Sequence, residues 1–404
     1  MSHEEYLSRR KVICKAPFSG ITINPRGYIV LCCNSTNDTI AHISEVSSLE
    51  EIYNSAEMEH VREKMEAGKI SDLPACNNCA KMFINHKQSM MGIFDFYKYS
   101  ENHFDEDWKN RKLNVNRPVR YLEYTCSNMC NQTCVSCGSF FSSKWRDLNK
   151  TFTKSEKDDF SKNTIHDIVR LGKSDIDKIL EVLPGLDILT VKGGEPFADK
   201  NNLKILERMI DVNPQCMTEI VSNMQTISQS TFKMLEKVKP AKACFNISAS
   251  IDGIGKEYDW IRGGNFEKTV ANMEKYYDVT GRKVLIIPFV SMFNFFSLEK
   301  IVEYFYDKEY VRGINITNIS YWPNYIKIQN LPKDIIEFQQ QKYKYAFKEY
   351  PNVQFRPVLT DVDPKIGDFE NLKRSFRWIE KMNEVRGFDL LEYVPELKEL
   401  KEFL

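Results

Sequence analysis

The sequence predicts an α/β fold: a parallel sheet of six βα units, preceded by a small α+β module and followed by a helical extension. Three observations carry this. Beyond about residue 117, short β-rich runs alternate with helical stretches, and strands joined by helical crossovers form a parallel sheet with right-handed connections. The 404 residues allow two or three domains with a substantial core. The eleven cysteines fall into an N-terminal set, a tight central group and two isolated residues, with none beyond Cys244.

Composition narrows the function classes. Lys+Arg and Asp+Glu balance at 56 each, and 42% of residues are hydrophobic and 28% charged, ordinary for a soluble protein. Zero net charge removes the global attraction to phosphate that non-specific nucleic-acid binders use, so no nucleic-acid partner is expected. The apolar runs, such as Val284–Val290, fall far short of a membrane span. The opening MSHEEYLSRRK lacks the apolar stretch of a signal peptide, so a cytoplasmic protein without membrane partner is expected. In a reducing compartment, clustered thiols more often bind metal or do redox chemistry than form disulfides.

The first module is expected over residues 1–115. Gly20–Ile23 and Tyr28–Cys33 are β-prone runs joined by Asn24-Pro25-Arg26-Gly27, a hairpin turn. Leu49–Ala67 is helical, a polar turn carries Cys76-Asn77-Asn78-Cys79, and the charged stretch Glu101–Asn116 connects to the next domain. Over residues 116–330, the strands are Arg120–Thr125, Leu186–Val191, Thr218–Ser222, Phe245–Ile251, Val284–Val290 and Gly313–Ile319. Helical stretches between them include Lys173–Leu183, Leu203–Asp211, Gln229–Val238, Glu267–Tyr277 and Leu298–Tyr306. Residues 331–404 read as helical, with Leu390–Leu404 packing outside. Ligand chemistry in such sheets gathers at the C-terminal strand ends.

Cys130, Cys134 and Cys137 follow the first of these strands directly, at Cx3Cx2C spacing. Three thiolates can hold three irons of a [4Fe–4S] cluster and leave the fourth open. The alternatives are a zinc site completed by Cys126, or unligated core cysteines. Cys126, at the strand end, reads as buried and unligated.

With these residues the sequence resembles the radical S-adenosylmethionine (radical SAM) enzymes, whose fold is a partial (β/α)6 barrel. Gly193-Gly194-Glu195-Pro196 ends the second strand and looks like the family's GGEP motif, which holds the methionine amino group. Ser222-Asn223 is similar to the family's position at the end of the third strand, and Asn246-Ile-Ser-Ala-Ser250-Ile-Asp252-Gly253 with Arg262 to its Ser-x-Asp-Gly…Arg segment. The resemblance implies that Ser250 and Asp252 bond the SAM ribose and that Arg262 pairs with the methionine carboxylate. Taken singly, Asp252-Gly253 could be a turn and Arg262 a surface charge. Two features depart from the family: Ser136 stands where a large or aromatic residue usually precedes the third cysteine, and Ile286-Ile-Pro-Phe-Val290 lacks a Gly-rich adenine motif. Asn294 lies in the corresponding region without an assigned role.

Cys14, Cys32, Cys76 and Cys79 combine a hairpin with a Cx2C hook, a set that would suit zinc or a second [4Fe–4S] cluster. The pattern, with Gly27 four residues before Cys32, resembles the twitch module, the short form of the SPASM domain. That implies one auxiliary cluster, here ahead of the barrel instead of after it. Strand alternation turns Cys33 away from Cys32, so Cys33, Cys126, Cys216 and Cys244 are surplus.

The resemblance implies two [4Fe–4S] clusters, one binding SAM, and reductive cleavage of SAM to a 5′-deoxyadenosyl radical that takes hydrogen from substrate. A fully ligated auxiliary cluster then accepts the second electron. An oxidoreductase acting on a small molecule, such as a sugar or aminocyclitol, is expected, fed by an external flavodoxin- or ferredoxin-like reductant. The alternative is a peptide maturase forming a crosslink or modified residue; a leader-binding winged helix would mark it, and none is visible. A zinc scaffold and an RNA-modifying enzyme are further readings. Glu123 and Lys192 could face the lumen and act on substrate, or be salt-bridged structural charges; no catalytic base is assigned.

Overall fold

The computed structural model describes residues 14, 16–33, 35, 39–74, 76, 79, 118–160, 169–239, 243–355, 358–359, 362, 368–402 and 404. The expected connection Glu101–Asn116 lies outside them. The strands are β1 (Gly20–Ile23), β2 (Tyr28–Val30), β3 (Thr39–His42), β4 (Tyr121–Tyr124), β5 (Ile188–Val191), β6 (Met217–Ser222), β7 (Phe245–Ala249), β8 (Val284–Ile286), β9 (Phe289–Val290), β10 (Val311–Asn315), β11 (Asn318–Ile319) and β12 (Val353–Gln354). Ten of them form one sheet in the order β12-β10-β8-β7-β6-β5-β4-β1-β2-β3.

The six expected strands are β4, β5, β6, β7, β8 and β10, all parallel, each beside its predecessor in the chain. Sequential order with right-handed crossovers puts the connecting helices on one face, as in a barrel; here the sheet stays open, ending at β12 and β3. Register separates the two faces. Thr22, Glu123, Thr190, Glu219 and Asn246 lie side by side on one, and Ile23, Tyr124, Val191, Ile220 and Ile247 on the other. The second row is at most 1% exposed, and burying each such side chain is worth ~2 kcal/mol. Thr22 and Glu123 of the first row, with Ile23 of the second, line the cavity described below.

The N-terminal module is part of this sheet. β1 pairs in parallel with β4, and β1–β2–β3 continue as an antiparallel meander. The turn forms as expected: Asn24 Oδ1 accepts from the Arg26 and Tyr28 backbone N–H groups at 2.9 and 3.2 Å. Buried Arg62 stitches the module internally, donating to the carbonyls of Pro17 (2.9 Å) and Tyr53 (2.5 Å).

The fifth expected strand is cut in two. Pro288 has no N–H for the ladder; β8 ends at Ile286, and β9 pairs instead with β11. The sixth divides likewise into β10 and β11. The C-terminal residues include helices Lys333–Ala346 and Phe369–Arg386, but also β12, which the sequence pattern did not reveal. Leu390, Leu391, Val394, Leu397 and Leu400 are buried, so the segment expected to pack outside contributes an apolar face to the core. No helix of the described residues is long and apolar enough to cross a membrane.

Candidate functional site

The loop after β4 is held from several directions. Asn128 Nδ2 donates to the Ser139 carbonyl at 3.1 Å, and Asn128 Oδ1 accepts from the Val169 N–H at 3.0 Å. Trp145 Nε1 donates to the Cys134 carbonyl at 3.0 Å, and Trp145 stacks on Trp378 of the C-terminal helix at 5.8 Å. Arg386, from the same helix, donates to Thr133 Oγ1 (2.8 Å), Thr133 O (2.6 Å) and Trp260 O (2.9 Å). The loop therefore has a fixed shape before any ligand arrives.

Cys130, Cys134 and Cys137 line one cavity of about 470 Å³. A hydrogen bond from Cys137 and the charge of Arg262 pull the Cys134 thiol down to about 7 against the effect of burial. Burial and the neighbouring Cys134 push Cys130 up to about 12. Asn223 Nδ2 lies 3.9 Å from Cys130 Sγ and donates to Asn131 Oδ1 at 2.8 Å. Cys126 is 1% exposed and does not line the cavity.

Gly193 and Gly194 follow β5 with φ of +81° and +54°. A Cβ on Gly193 would come within 2.2 Å of Thr125, and one on Gly194 within 2.4 Å of the Met129 carbonyl. Only glycine permits both the left-handed backbone and this approach to the cysteine loop. Both line the cavity, as do Ser222, Asn223, Ser250 and Arg262. Glu195, Pro196 and Asp252 stand behind the wall. The Glu195 carboxylate accepts from Ser222 Oγ (2.8 Å), Asn223 N (2.8 Å) and Phe197 N (3.1 Å); burial nevertheless pushes its pKa up. Asp252 Oδ2 pairs with Arg262 Nη1 at 2.9 Å, and its Oδ1 accepts from Phe289 N at 2.7 Å. Asn294 is buried and braces this turn, donating to Asp252 O at 2.9 Å.

Burial pushes the Cys14 thiol well up, and Cys32, Cys79 and Cys76 add to the effect, so the four lie near one another. Asn77 and Asn78 between the last two lie outside the described residues. Among the described residues no three metal-binding side chains converge on a single point; ligands to separate irons of a cubane need not do so. Cys32 and Cys33 sit on the turn after β2, not in the strand expected there, and both line the cavity.

Further lining residues carried no signal in the motifs. Phe140 and Phe141, edge-to-face at 4.6 Å, supply aromatic surface near Ser136, which also lines the wall. Cys33 is brought in only by the β1–β4 pairing. A cysteine beside a cluster ligand offers no sequence pattern by which to find it.

The radical SAM superfamily model matches residues 124–305, and the SPASM iron–sulfur cluster-binding domain matches residues 14–80. The chain belongs to the radical SAM enzymes and carries a SPASM domain ahead of the barrel. Its cofactors are S-adenosylmethionine, a SAM-binding [4Fe–4S] cluster and auxiliary iron–sulfur. The residues fit them: three thiols on the cavity wall, a glycine cradle packed against their loop, and a second gathering of four thiols in the N-terminal module.

No curated protein matches the chain. Among solved structures, hexahistidine-tagged anSMEcpe with bound AdoMet is similar at 18% identity and TM-score 0.40, over 58% of this chain and 62% of that one. The chain thus spans about three-fifths of that relative. Native anSMEcpe with AdoMet and Cp18Cys peptide matches at 17% and 0.40, over 59% and 63%. Streptococcus suis SuiB bound to precursor peptide SuiA matches at 14% and 0.39, over 85% and 72%.

Proposed function

We propose that this enzyme oxidises a peptide by two electrons, leaving a crosslink or an oxidised residue, with the N-terminal cluster as internal electron acceptor. What supports this most is that a single cavity is lined both by Cys130, Cys134 and Cys137 and by Cys32, so one substrate can lie within reach of both metal sites. A cluster held by Cys130, Cys134 and Cys137 would, with SAM, supply the radical chemistry that takes a substrate hydrogen, and one held by Cys14, Cys32, Cys76 and Cys79 would take up the substrate's second electron.

The chain's own residues hold and shield. Gly193 and Gly194 bring backbone to the ligand, Arg262 (set by Asp252) offers a cation for the methionine carboxylate, and Ser250 offers a hydroxyl for the ribose. Ile23, Val30, Ile287 and Phe289 help keep water out. Delivery of the first electron requires an external one-electron reductant.

The predominantly apolar lining favours a peptide over a sugar or aminocyclitol, whose hydroxyls would lose water without enough partners. Phe141 on the wall is 47% exposed, and Tyr321 and Trp322, 49% and 53% exposed, follow closely on the lining residue Asn318. Such aromatic surface offers broad contact to a chain longer than the cavity. The peptide reading does not require a winged helix in this chain, because recognition can reside on a separate protein.

The test is turnover by the anaerobically reconstituted enzyme with SAM and a chemical reductant, offered pools of short peptides or of sugars and aminocyclitols. Peptides should stimulate 5′-deoxyadenosine release and emerge lighter by about 2 Da, two hydrogens per event. Stimulation by the sugar pool alone would sink the peptide reading.

A further inference from the structure

The cavity contains an ion pair that neither set of cluster thiols nor the SAM-side motif uses. Lys192 Nζ lies 2.8 Å from Glu123 Oε1, and Tyr121 OH donates to Glu123 Oε2 at 2.8 Å. The ammonium also donates to Cys33. Burial opposes the Lys192 charge, but the Glu123 carboxylate beside it outweighs this and holds the ammonium protonated. The Glu123 side chain is 5% exposed, whereas Lys192 keeps 32% of its surface open, and Lys192 lines the cavity.

Apolar residues of similar size stabilise an interior as well as a buried ion pair does, so stability gives no reason for this pair. Its place does. Lys192 directly precedes Gly193 on the SAM side, and its partner Cys33 directly follows Cys32 on the auxiliary side. Of an ammonium's three donors, Glu123 and Cys33 take two. The other cation on the wall, Arg262, is engaged by Asp252.

We propose that Lys192 is a substrate-positioning residue whose third N–H holds a neutral oxygen of the substrate between the two metal sites. That the oxygen is a peptide carbonyl rests on the peptide reading above. Neutrality follows from Glu123: the ammonium's charge is already balanced, so it has a hydrogen bond to give and no net attraction. A carboxylate would set a second negative charge beside Glu123 in a poorly hydrated site.

Titration calorimetry of the reconstituted, SAM-loaded enzyme with N-acetylalanine methylamide and with N-acetylalanine carboxylate tests this. The wild type should bind the amide about tenfold more tightly than the carboxylate. K192M should weaken amide binding by about tenfold and erase the preference. E123Q, which leaves the ammonium unbalanced, should shift preference towards the carboxylate. Should K192M lose iron or fail to fold, K192M/E123Q removes both charges and should bind the amide as weakly as K192M is expected to. Amide binding within about twofold of wild type in either Lys192 variant overturns the proposal. So does a wild-type preference for the carboxylate, or no amide binding at all. Failure of the peptide reading shows elsewhere, as turnover stimulated by sugars and not peptides, and leaves these affinities unaffected.

Discussion

Arg386 lies far along the chain from the cysteine loop, yet three of its hydrogen bonds end on Thr133 and Trp260. Arg386→Met should lose them while keeping much of the side-chain volume, lowering stability by roughly 2–4 kcal/mol. The iron-loaded protein should show this as a lower urea midpoint and faster loss of the SAM-binding cluster; an unchanged midpoint would show that the loop holds itself. Residue types and spacing made Cys130, Cys134, Cys137, Gly193 and Gly194 legible, because their chemistry depends on local order. Arg386 was not legible, since nothing in a lone arginine on a helix names its distant partner. Lys192 and Glu123 lay between: their strand-end positions suggested the lumen, but only coordinates show them paired and part of one cavity.

Two elements have consequences beyond their own length. β1 approaches β4 so closely that a Cβ on Gly20 would lie 1.7 Å from the Tyr121 carbonyl. Gly20→Val should prise the meander from the barrel, leaving roughly four irons per chain while SAM cleavage persists. Full auxiliary iron content in that variant would refute the coupling. Helix Gly255–Arg262 carries Arg262, and its buried Glu257 accepts a hydrogen bond from Ser297. Burial pushes Glu257 up to about 7. A carboxyl raised on folding contributes most below its unfolded pKa, and that contribution is lost as pH rises through the folded value. Wild-type stability should therefore fall from about pH 5 to about pH 8, by up to about 3 kcal/mol, relative to Glu257→Gln. Parallel urea midpoints for the two proteins across that range would rule this out. Periodicity located most of these elements, and missed the break at Pro288 because the flanking residues all favour strand. β3 and β12 are too short to rise above the pattern of their neighbours.

At the scale of the molecule, the meander and the six parallel strands share one sheet, so cysteines early and midway in the sequence meet on one cavity. The reconstituted chain should hold roughly eight irons, and replacing Cys130, Cys134 and Cys137 with alanine should leave roughly four and abolish 5′-deoxyadenosine formation. Iron and sulfide analysis with product chromatography checks both; retained SAM cleavage would refute the assignment of the three thiols. The sequence by itself determined the α/β class, the strand-to-loop placement of Cx3Cx2C, the glycine motif and the two groups of cysteines, because each depends on periodicity or on spacing within a few residues. Only the tertiary structure decided that β1 joins β4, that the C-terminal helix clamps the cysteine loop, and that Lys192 pairs with Glu123 on a cavity lined by cysteines of both groups. Those are contacts between segments remote in the chain, set by sheet register and packing, and no local pattern encodes them.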